Sequence, residues 1–123
     1  MIEQRLKASF DPYFEAPLEA WKAFAGLCEL VKFRKNEIIK RYGQPERFGY
    51  FILSGSGGVF LWKENHYVCL DLMYEDTFFG DYMSLITQQP SPLETMALEH
   101  SEMLRISRQN IDLLKQTPMG QFI

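Results

Sequence analysis

The sequence predicts a mainly β domain of the jelly-roll type with helices at both ends. About eight short segments of β-type composition recur at regular spacing, separated by turns rich in glycine, asparagine and proline. Aromatic residues make up 15% of the chain, which favours β structure with a well-filled interior. A single helical segment interrupts these strands, so the regular alternation of strands and helices in a βαβ protein is missing.

Length and composition predict one domain. The chain has 123 residues, of which 46% are hydrophobic and 24% charged, as in an ordinary globular protein with one core. We expect N-terminal helices at about 2–27, a jelly roll at about 29–107 and the start of C-terminal helices at 108–123. No apolar run reaches the roughly 20 residues that span a bilayer, and the N-terminus lacks the layout of a signal peptide. A cytoplasmic protein without membrane contact is therefore expected.

Local patterns place the helices. Residues 2–9 have helical composition, and Asp11-Pro12 offers an N-cap followed by proline at the first position of a helix. A firmer helix is expected at about 17–27, where apolar residues at three-residue steps form one stripe. Ser107 is a good N-cap for a last helix from Arg108 to Lys115.

Between these helices the strands are separated by recognisable turns. We expect strands at about 30–33, 38–39, 50–53, 59–63, 67–73, 94–98 and 103–106, with a hairpin turn at 64–66. The glycine- and serine-rich run at 54–58 predicts a wide turn. A phosphate-binding P-loop is excluded there because the Walker spacing and its lysine are missing.

The segment 77–85 is the candidate binding site. Phe78 and Phe79 end a strand-like run, Gly80 turns the backbone, and Asp81 opens a short amphipathic segment. The first N–H groups of such a segment have no intrahelical partners, and together with the helix dipole they favour an anion. The alternative interpretation is an ordinary strand-to-helix corner.

Net charge and cysteine usage exclude several classes of function. The net charge of −3 argues against direct nucleic-acid binding, and the densest basic run is expected to be a solvated face. That run consists of Lys32, Arg34, Lys35, Lys40 and Arg41.

The cysteines, histidines and candidate bases of the sequence predict no enzyme activity. Cys28 and Cys69 are far apart and are expected to be reduced and buried, and no spacing with His66 and His100 supports a metal site. Every candidate base lies in a turn, so no catalytic residue and no metal ligand is predicted.

The motifs then follow one known template in order. Their residues are Asn36-Glu37-Ile38-Ile39, Gly43, Tyr50-Phe51-Ile52-Leu53-Ser54-Gly55, Phe78-Phe79-Gly80-Asp81, Ala97, Ser101 and Ile106-Ser107. Over roughly residues 17–117 the chain resembles the cyclic-nucleotide-binding domain of the Crp/Fnr-type transcription regulators. The resemblance implies a double-stranded β-helix (jelly roll) and a regulatory function that senses a small molecule.

The resemblance also assigns roles to the corner. In the family this corner is the phosphate-binding cassette, where N–H groups after the glycine hold the phosphate and an acidic residue takes the ribose hydroxyl. Gly80 matches the glycine, Asp81 stands where the family usually has glutamate, and Tyr82 and Met83 follow. In a second part of the site, Leu70 and Asp71 fall where the family places the base pocket.

The main departure from the family lies at Ser91. With Ala97 in register, Ser91 takes the position of the phosphate-binding arginine and Pro92 that of a small hydroxyl residue. A serine hydroxyl replaces neither the charge nor the fork of a guanidinium. No lysine or arginine lies between Lys63 and Arg105, so that segment offers no substitute. The resemblance thus implies a cyclic nucleotide or another small anionic effector as ligand, with cyclic AMP bound weakly.

The family also implies partners. Its members continue into a long dimerisation helix and a helix-turn-helix, whereas this sequence ends where that helix would begin, near Pro118. We expect a homodimer in a longer chain, and DNA binding only through a helix-turn-helix that these residues do not include.

Two alternatives from other classes stay open. One is a ligand-free structural or interaction module whose pocket is filled by Phe79, Tyr82 and Met83. The other is a cupin-type metal enzyme, which would need a set of histidines and carboxylates lining the cavity.

Overall fold

The computed structural model describes residues 2–117 and confirms a mainly β fold with flanking helices. The helices are α1 (Ile2–Phe10), α2 (Leu18–Gly26), α3 (Tyr82–Thr87) and α4 (Arg108–Lys115). The strands are β1 (Glu29–Phe33), β2 (Ile38–Lys40), β3 (Phe48–Ser54), β4 (Gly57–Lys63), β5 (His66–Met73), β6 (Phe78–Phe79), β7 (Leu93–Ala97) and β8 (Ser101–Ser107). None of these helices is long and apolar enough to cross a membrane.

Two antiparallel four-stranded sheets form the jelly roll. One has the order β1-β8-β3-β6 and the other β2-β7-β4-β5. The predicted helix after Ser107 is confirmed, and the serine side chain accepts a hydrogen bond from the Asn110 N–H. The predicted C-terminal segment beyond residue 117 lies outside the described residues.

Strand β3 separates two hydrophobic cores. Phe51 packs with Trp21, Phe24 and other residues of the helices, whereas its neighbour Ile52 packs between the sheets. Because successive side chains of a strand point to opposite faces, both faces of β3 are covered. This explains why the strand has a continuous hydrophobic sequence rather than an alternating one.

The predicted N-cap at Asp11-Pro12 is wrong. These residues form a turn, and α2 begins only at Leu18, after the extended Pro17. Rings on both sides of the turn hold its position, since Phe10 and Phe14 both stack on Trp21, with centroid distances of 5.2 and 6.1 Å. The aromatic contacts outweigh the local capping signal.

The wide turn predicted at 54–58 is also too long. Gly57 and Gly58 belong to β4, and only the two residues before them form the turn. A Cβ on Gly57 would lie 2.6 Å from the Phe79 ring, and one on Gly58 would lie 2.6 Å from the Phe60 ring. These glycines therefore serve close ring packing on a strand.

The two cysteines differ in environment. Cys28 is partly buried, and burial raises the pKa of its thiol to about 12. Cys69 is exposed, so the prediction that both are buried is wrong. The reason is the position of β5 at the edge of its sheet, where side chains lack neighbours on one side.

Two glycine substitutions separate steric from conformational constraints. Gly55 has a φ of +95°, and a Cβ there would lie 2.8 Å from the His100 carbonyl oxygen. We expect Gly55→Ala to lower the free energy of unfolding by at least about 2 kcal/mol, because strain and overlap add. Gly43→Ala is the matched control, since Gly43 has a φ of +82° but open space, and it should cost only about 1 kcal/mol. Urea denaturation of both variants measures this, and equal costs would contradict the steric argument.

Candidate functional site

The corner predicted from the sequence is a strand-to-helix turn at the end of β6. Gly80 has a φ of +139°, which L side chains rarely adopt. Asp81 is the N-cap of α3, and its Oδ1 accepts a hydrogen bond of 3.3 Å from the Ser84 N–H. The N-terminus of α3 therefore already has a carboxylate of this chain as its anionic partner.

A buried ion pair between Lys40 and Asp81 occupies the corner. Lys40 Nζ lies 3.1 Å from Asp81 Oδ2, and the two side chains are 5% and 2% exposed. Nζ also donates to the Gln44 carbonyl at 2.9 Å and to Ser91 Oγ at 3.3 Å. The ammonium group of Lys40 thus makes two hydrogen bonds and one ion pair, all within the chain.

Ser91 completes this cluster. Its hydroxyl donates to Asp81 Oδ2 and accepts hydrogen bonds from Lys40 and from the Leu93 N–H. One donor and two acceptor positions are all that a hydroxyl offers, so Ser91 has none left. We refer to Lys40, Asp81 and Ser91 as the corner triad.

Glu46 is a second carboxylate at the same corner and is 2% exposed. Its Oε2 accepts from the Asp81 N–H at 3.4 Å, and its Oε1 accepts from the N–H groups of Arg47 and Phe48. Burial raises the pKa of Glu46, while these N–H groups and the charge of Lys40 act in the opposite direction. The backbone N–H of Asp81 therefore points at a carboxylate.

The electrostatics of the corner disfavour an anionic ligand. Lys40 supplies one positive charge, which the Asp81 carboxylate balances. If Glu46 is ionised the corner carries a net negative charge, and if it is protonated the corner is neutral. In neither state is there a positive charge in excess for a phosphate group.

The structure brings some of the predicted site residues together and separates others. Asp81, Met83, Ser91 and Pro92 line one cavity of about 340 Å³ beside the corner. Tyr82 is not in its lining and is 72% exposed. Leu70 and Asp71 do not line it either, because both lie exposed on the edge strand β5.

Lys40 and Glu46 are the residues that sequence reasoning missed. Lys40 was predicted to lie on a solvated face with four other basic residues. Those four are exposed, but Lys40 is buried. Lys40 follows a β-bulge at the end of β2, so simple alternation could not assign its side chain to a face. One signal for Lys40 was present in the sequence: no lysine or arginine lies near Ser91 along the chain, so a positive charge at this position had to come from another segment.

The predicted self-filled pocket is partly wrong. Phe79 is 5% exposed and lies against Gly57, inside the roll. Tyr82 and Met83 instead point outward, with 72% and 67% of their surface exposed. The hydrogen-bonded polar groups of the corner triad, rather than these large side chains, occupy the corner between β6 and α3.

The cupin alternative finds no ligand set in residues 2–117. No group of three or more His, Cys, Asp or Glu side chains in this range is arranged to hold a metal ion. His66 and His100 are both exposed, one at the start of β5 and the other in the turn before β8.

A comparison with protein families shows to which family the chain belongs. The family model of the cyclic nucleotide-binding domain matches residues 30–117. The chain belongs to this family. Cyclic nucleotide-binding domains are typically regulatory rather than catalytic. No curated protein matches the chain significantly in sequence.

Solved structures share the fold of this cyclic nucleotide-binding domain at low sequence identity. The sensor domain of the transcriptional regulator DNR from Pseudomonas aeruginosa has a TM-score of 0.77 at 19% identity, with 97% of this chain and 81% of that one covered. The Thermus thermophilus catabolite activator protein has a TM-score of 0.76 at 21% identity, with 88% of this chain and 49% of that one covered. The regulatory domain of Toxoplasma gondii PKA, solved with cAMP, has a TM-score of 0.79 at 16% identity, with 99% and 47% covered. The chain thus spans about half the length of the Thermus protein.

Removing one member of the ion pair should be costly. Lys40→Met leaves the Asp81 carboxylate buried without a cation, and we expect a loss of about 3–5 kcal/mol in the free energy of unfolding. The double variant Lys40→Met/Asp81→Asn removes both charges and should recover most of that loss. Urea denaturation of both variants provides the measurement.

The matched control is the exposed pair between Lys7 and Asp11, which lie 2.8 Å apart on and after α1. Lys7→Met should cost at most about 1 kcal/mol, because exposed ion pairs contribute little. An equal cost for Lys40→Met and Lys7→Met would contradict a buried pair at the corner.

Proposed function

We propose that this domain is the effector domain of a Crp/Fnr-like transcription regulator whose phosphate position is held by an internal ion pair. The observation that carries the proposal is that the polar groups of the corner triad are paired with one another and with the chain around them. Lys40 makes two hydrogen bonds and the ion pair with Asp81, and each oxygen of the Asp81 carboxylate accepts at least one hydrogen bond. A cyclic nucleotide would have to displace these contacts without offering a cation in return.

The consequence is a domain that does not depend on tight binding of a cyclic nucleotide. Ser91 stands where the family has its phosphate-binding arginine, and it is committed to Asp81. Asp81 stands where the family has the group for the ribose hydroxyl, and it is committed to Lys40. Both ligand-binding roles are therefore taken over by contacts inside the chain.

Partners of the domain follow from the same proposal. In a longer regulator we expect homodimerisation and DNA binding through segments beyond these residues, in the cytoplasm. The helix predicted near Pro118 lies outside the described residues. An effector other than a cyclic nucleotide would find the open cavity of about 340 Å³ beside the corner.

Calorimetric titration with cyclic AMP and cyclic GMP tests the proposal. The natural domain should give no tight binding of either nucleotide. In Ser91→Arg/Lys40→Gln, the arginine can pair with both Asp81 and a phosphate, and affinity for cyclic AMP should rise by about tenfold to a few hundredfold. Ser91→Gln/Lys40→Gln is the matched control, since it introduces a long polar side chain without charge.

Two results would contradict the proposal. Tight binding by the natural domain would show that the triad opens readily for a nucleotide. Equal affinities for the arginine and glutamine variants would show that charge at position 91 is not what limits binding.

A further inference from the structure

A second open cavity, of about 570 Å³, lies at the turn between β1 and β2, and we call it the turn cavity. It shares no lining residue with the cavity beside the corner. Its volume is in the range of pockets that bind small molecules. Most of its lining is basic, in contrast to the corner, with Lys32, Arg34, Lys35 and His100 beside the ring of Phe33.

The pairing of β1 with β8 brings these basic residues together. Phe33 is opposite Ser101 in this antiparallel pair. The next positions along the two chains, Arg34 and His100, therefore lie where the chains leave the sheet. The basic side chains thus come from two segments that are far apart in the sequence and adjacent in the fold.

Hydrogen bonds fix the backbone of the turn that carries the cations. The Glu37 N–H donates to the Arg34 carbonyl at 3.0 Å, and the Glu37 carboxylate accepts from the Arg34 N–H at 2.9 Å. Asn36 has a φ of 69°, which asparagine adopts more readily than most residues, and its N–H donates to the Ala97 carbonyl at 2.8 Å. The backbone of Arg34 and Lys35 is therefore held in place at the cavity.

Two of the cations have no partner within residues 2–117. Neither Arg34 nor Lys35 forms an ion pair or a side-chain hydrogen bond in this range. Both residues are exposed, so their donors are accessible to a ligand. Their positions thus differ from that of Lys40, whose ammonium group is buried and paired.

The carboxylates near the turn cavity leave its lining positive. Only one of them, Glu37, lines the cavity, and it caps the turn. Glu102 lies 3.6 Å from Lys32 in an exposed pair, and such pairs contribute little. Glu99 accepts a hydrogen bond of 2.8 Å from a serine hydroxyl and does not line the cavity. Three cations of the lining therefore face one carboxylate, in a chain whose net charge is −3.

The unpaired side chains suit an anion that has more than one charged group. The guanidinium of Arg34 offers five N–H donors in a planar fork that matches the oxygens of a phosphate group. The ammonium group of Lys35 adds three donors that rotate to suit a second group. A diphosphate presents two adjacent anionic groups and can contact both side chains at once.

We propose that the turn cavity binds a small molecule with two adjacent anionic groups of the diphosphate type, one paired with Arg34 and the other with Lys35. A small molecule fits the observations better than an acidic segment of a partner protein, because the cations line a cavity rather than a flat surface. The site goes beyond the function proposed above and does not depend on it, since no residue of the corner triad lines the turn cavity.

NMR titration of the ¹⁵N-labelled 123-residue chain with sodium pyrophosphate, at constant ionic strength, tests this inference. The Nε–H signal of Arg34 and the backbone N–H signal of Lys35 should shift with saturation. The backbone N–H signal of Gly80, at the corner, should stay in place as an internal reference. Sulfate, which has a single anionic group, should bind at least about tenfold more weakly because it cannot contact both side chains.

Variants separate the site from general surface charge. Arg34→Gln and Lys35→Gln should each weaken pyrophosphate binding by about tenfold or more, because each removes a charge-assisted contact. Lys63→Gln is the matched control, since it removes an exposed lysine that does not line the cavity, and it should leave the affinity unchanged. Glu37→Gln keeps an oxygen for the Arg34 N–H but removes a negative charge, so it should strengthen binding by about two- to fivefold. A circular dichroism spectrum of each variant checks that the fold is retained.

Four results would overturn the proposal. Equal affinities for pyrophosphate and sulfate would exclude a site for two adjacent groups, and full binding by Arg34→Gln would exclude the assigned guanidinium. Shifts at Gly80 instead of Arg34 would place the anion at the corner. Tighter binding of a blocked hexaglutamate peptide than of pyrophosphate would assign the turn cavity to an acidic segment of a partner protein.

Discussion

The buried ion pair between Lys40 and Asp81 is the interaction on which the candidate site depends. Desolvating two charges costs several kcal/mol per ion, so such a pair persists only when further hydrogen bonds satisfy both groups. Here the ammonium group reaches the Gln44 carbonyl and Ser91, and the carboxylate caps α3 through the Ser84 N–H. The pair thus joins the end of β2, the following loop, the start of α3 and the loop before β7.

The corner between β6 and α3 has a backbone geometry fixed by Gly80 and the cap of α3, and it has no positive charge in excess. The positive φ of Gly80 and the cap of α3 preserve the turn, because they depend on backbone geometry. A phosphate site also needs donors with no partner of their own and a positive charge in excess. Here the N–H groups of Asp81 and Ser84 already donate to carboxylates, those of Glu46 and Asp81, and Asp81 balances the charge of Lys40. The opposite situation holds at Glu94, which is 1% exposed and whose Oε1 has no hydrogen-bond partner within residues 2–117.

Sequence patterns predicted the fold because they depend on short-range physics. Strand spacing, the Ser107 cap and the apolar stripe of α2 each report a local preference, and all are present in the structure. Gly57 and Gly58 were assigned to a turn although both belong to β4. The rings that require these glycines are that of Phe79, on β6, and that of Phe60, two residues after Gly58 on β4. Lys40 and Glu46 were missed for the same reason: their partners lie 41 and 35 positions away along the chain, and only the folded topology brings them together. Ser91 was the sequence position that indicated a changed site most clearly, because it replaces a charged residue of the family pattern.

The ammonium group of Lys40 offers the most direct measurement of the central claim. Lysine ammonium protons exchange rapidly with water when exposed, whereas a buried and fully hydrogen-bonded group is protected. We predict that ¹⁵N-labelled protein at neutral pH shows a protected lysine side-chain signal that disappears in Lys40→Met. This signal should stay unchanged when a large excess of cyclic AMP is added. The absence of a protected signal, or its loss on addition of the nucleotide, would contradict an internally closed corner.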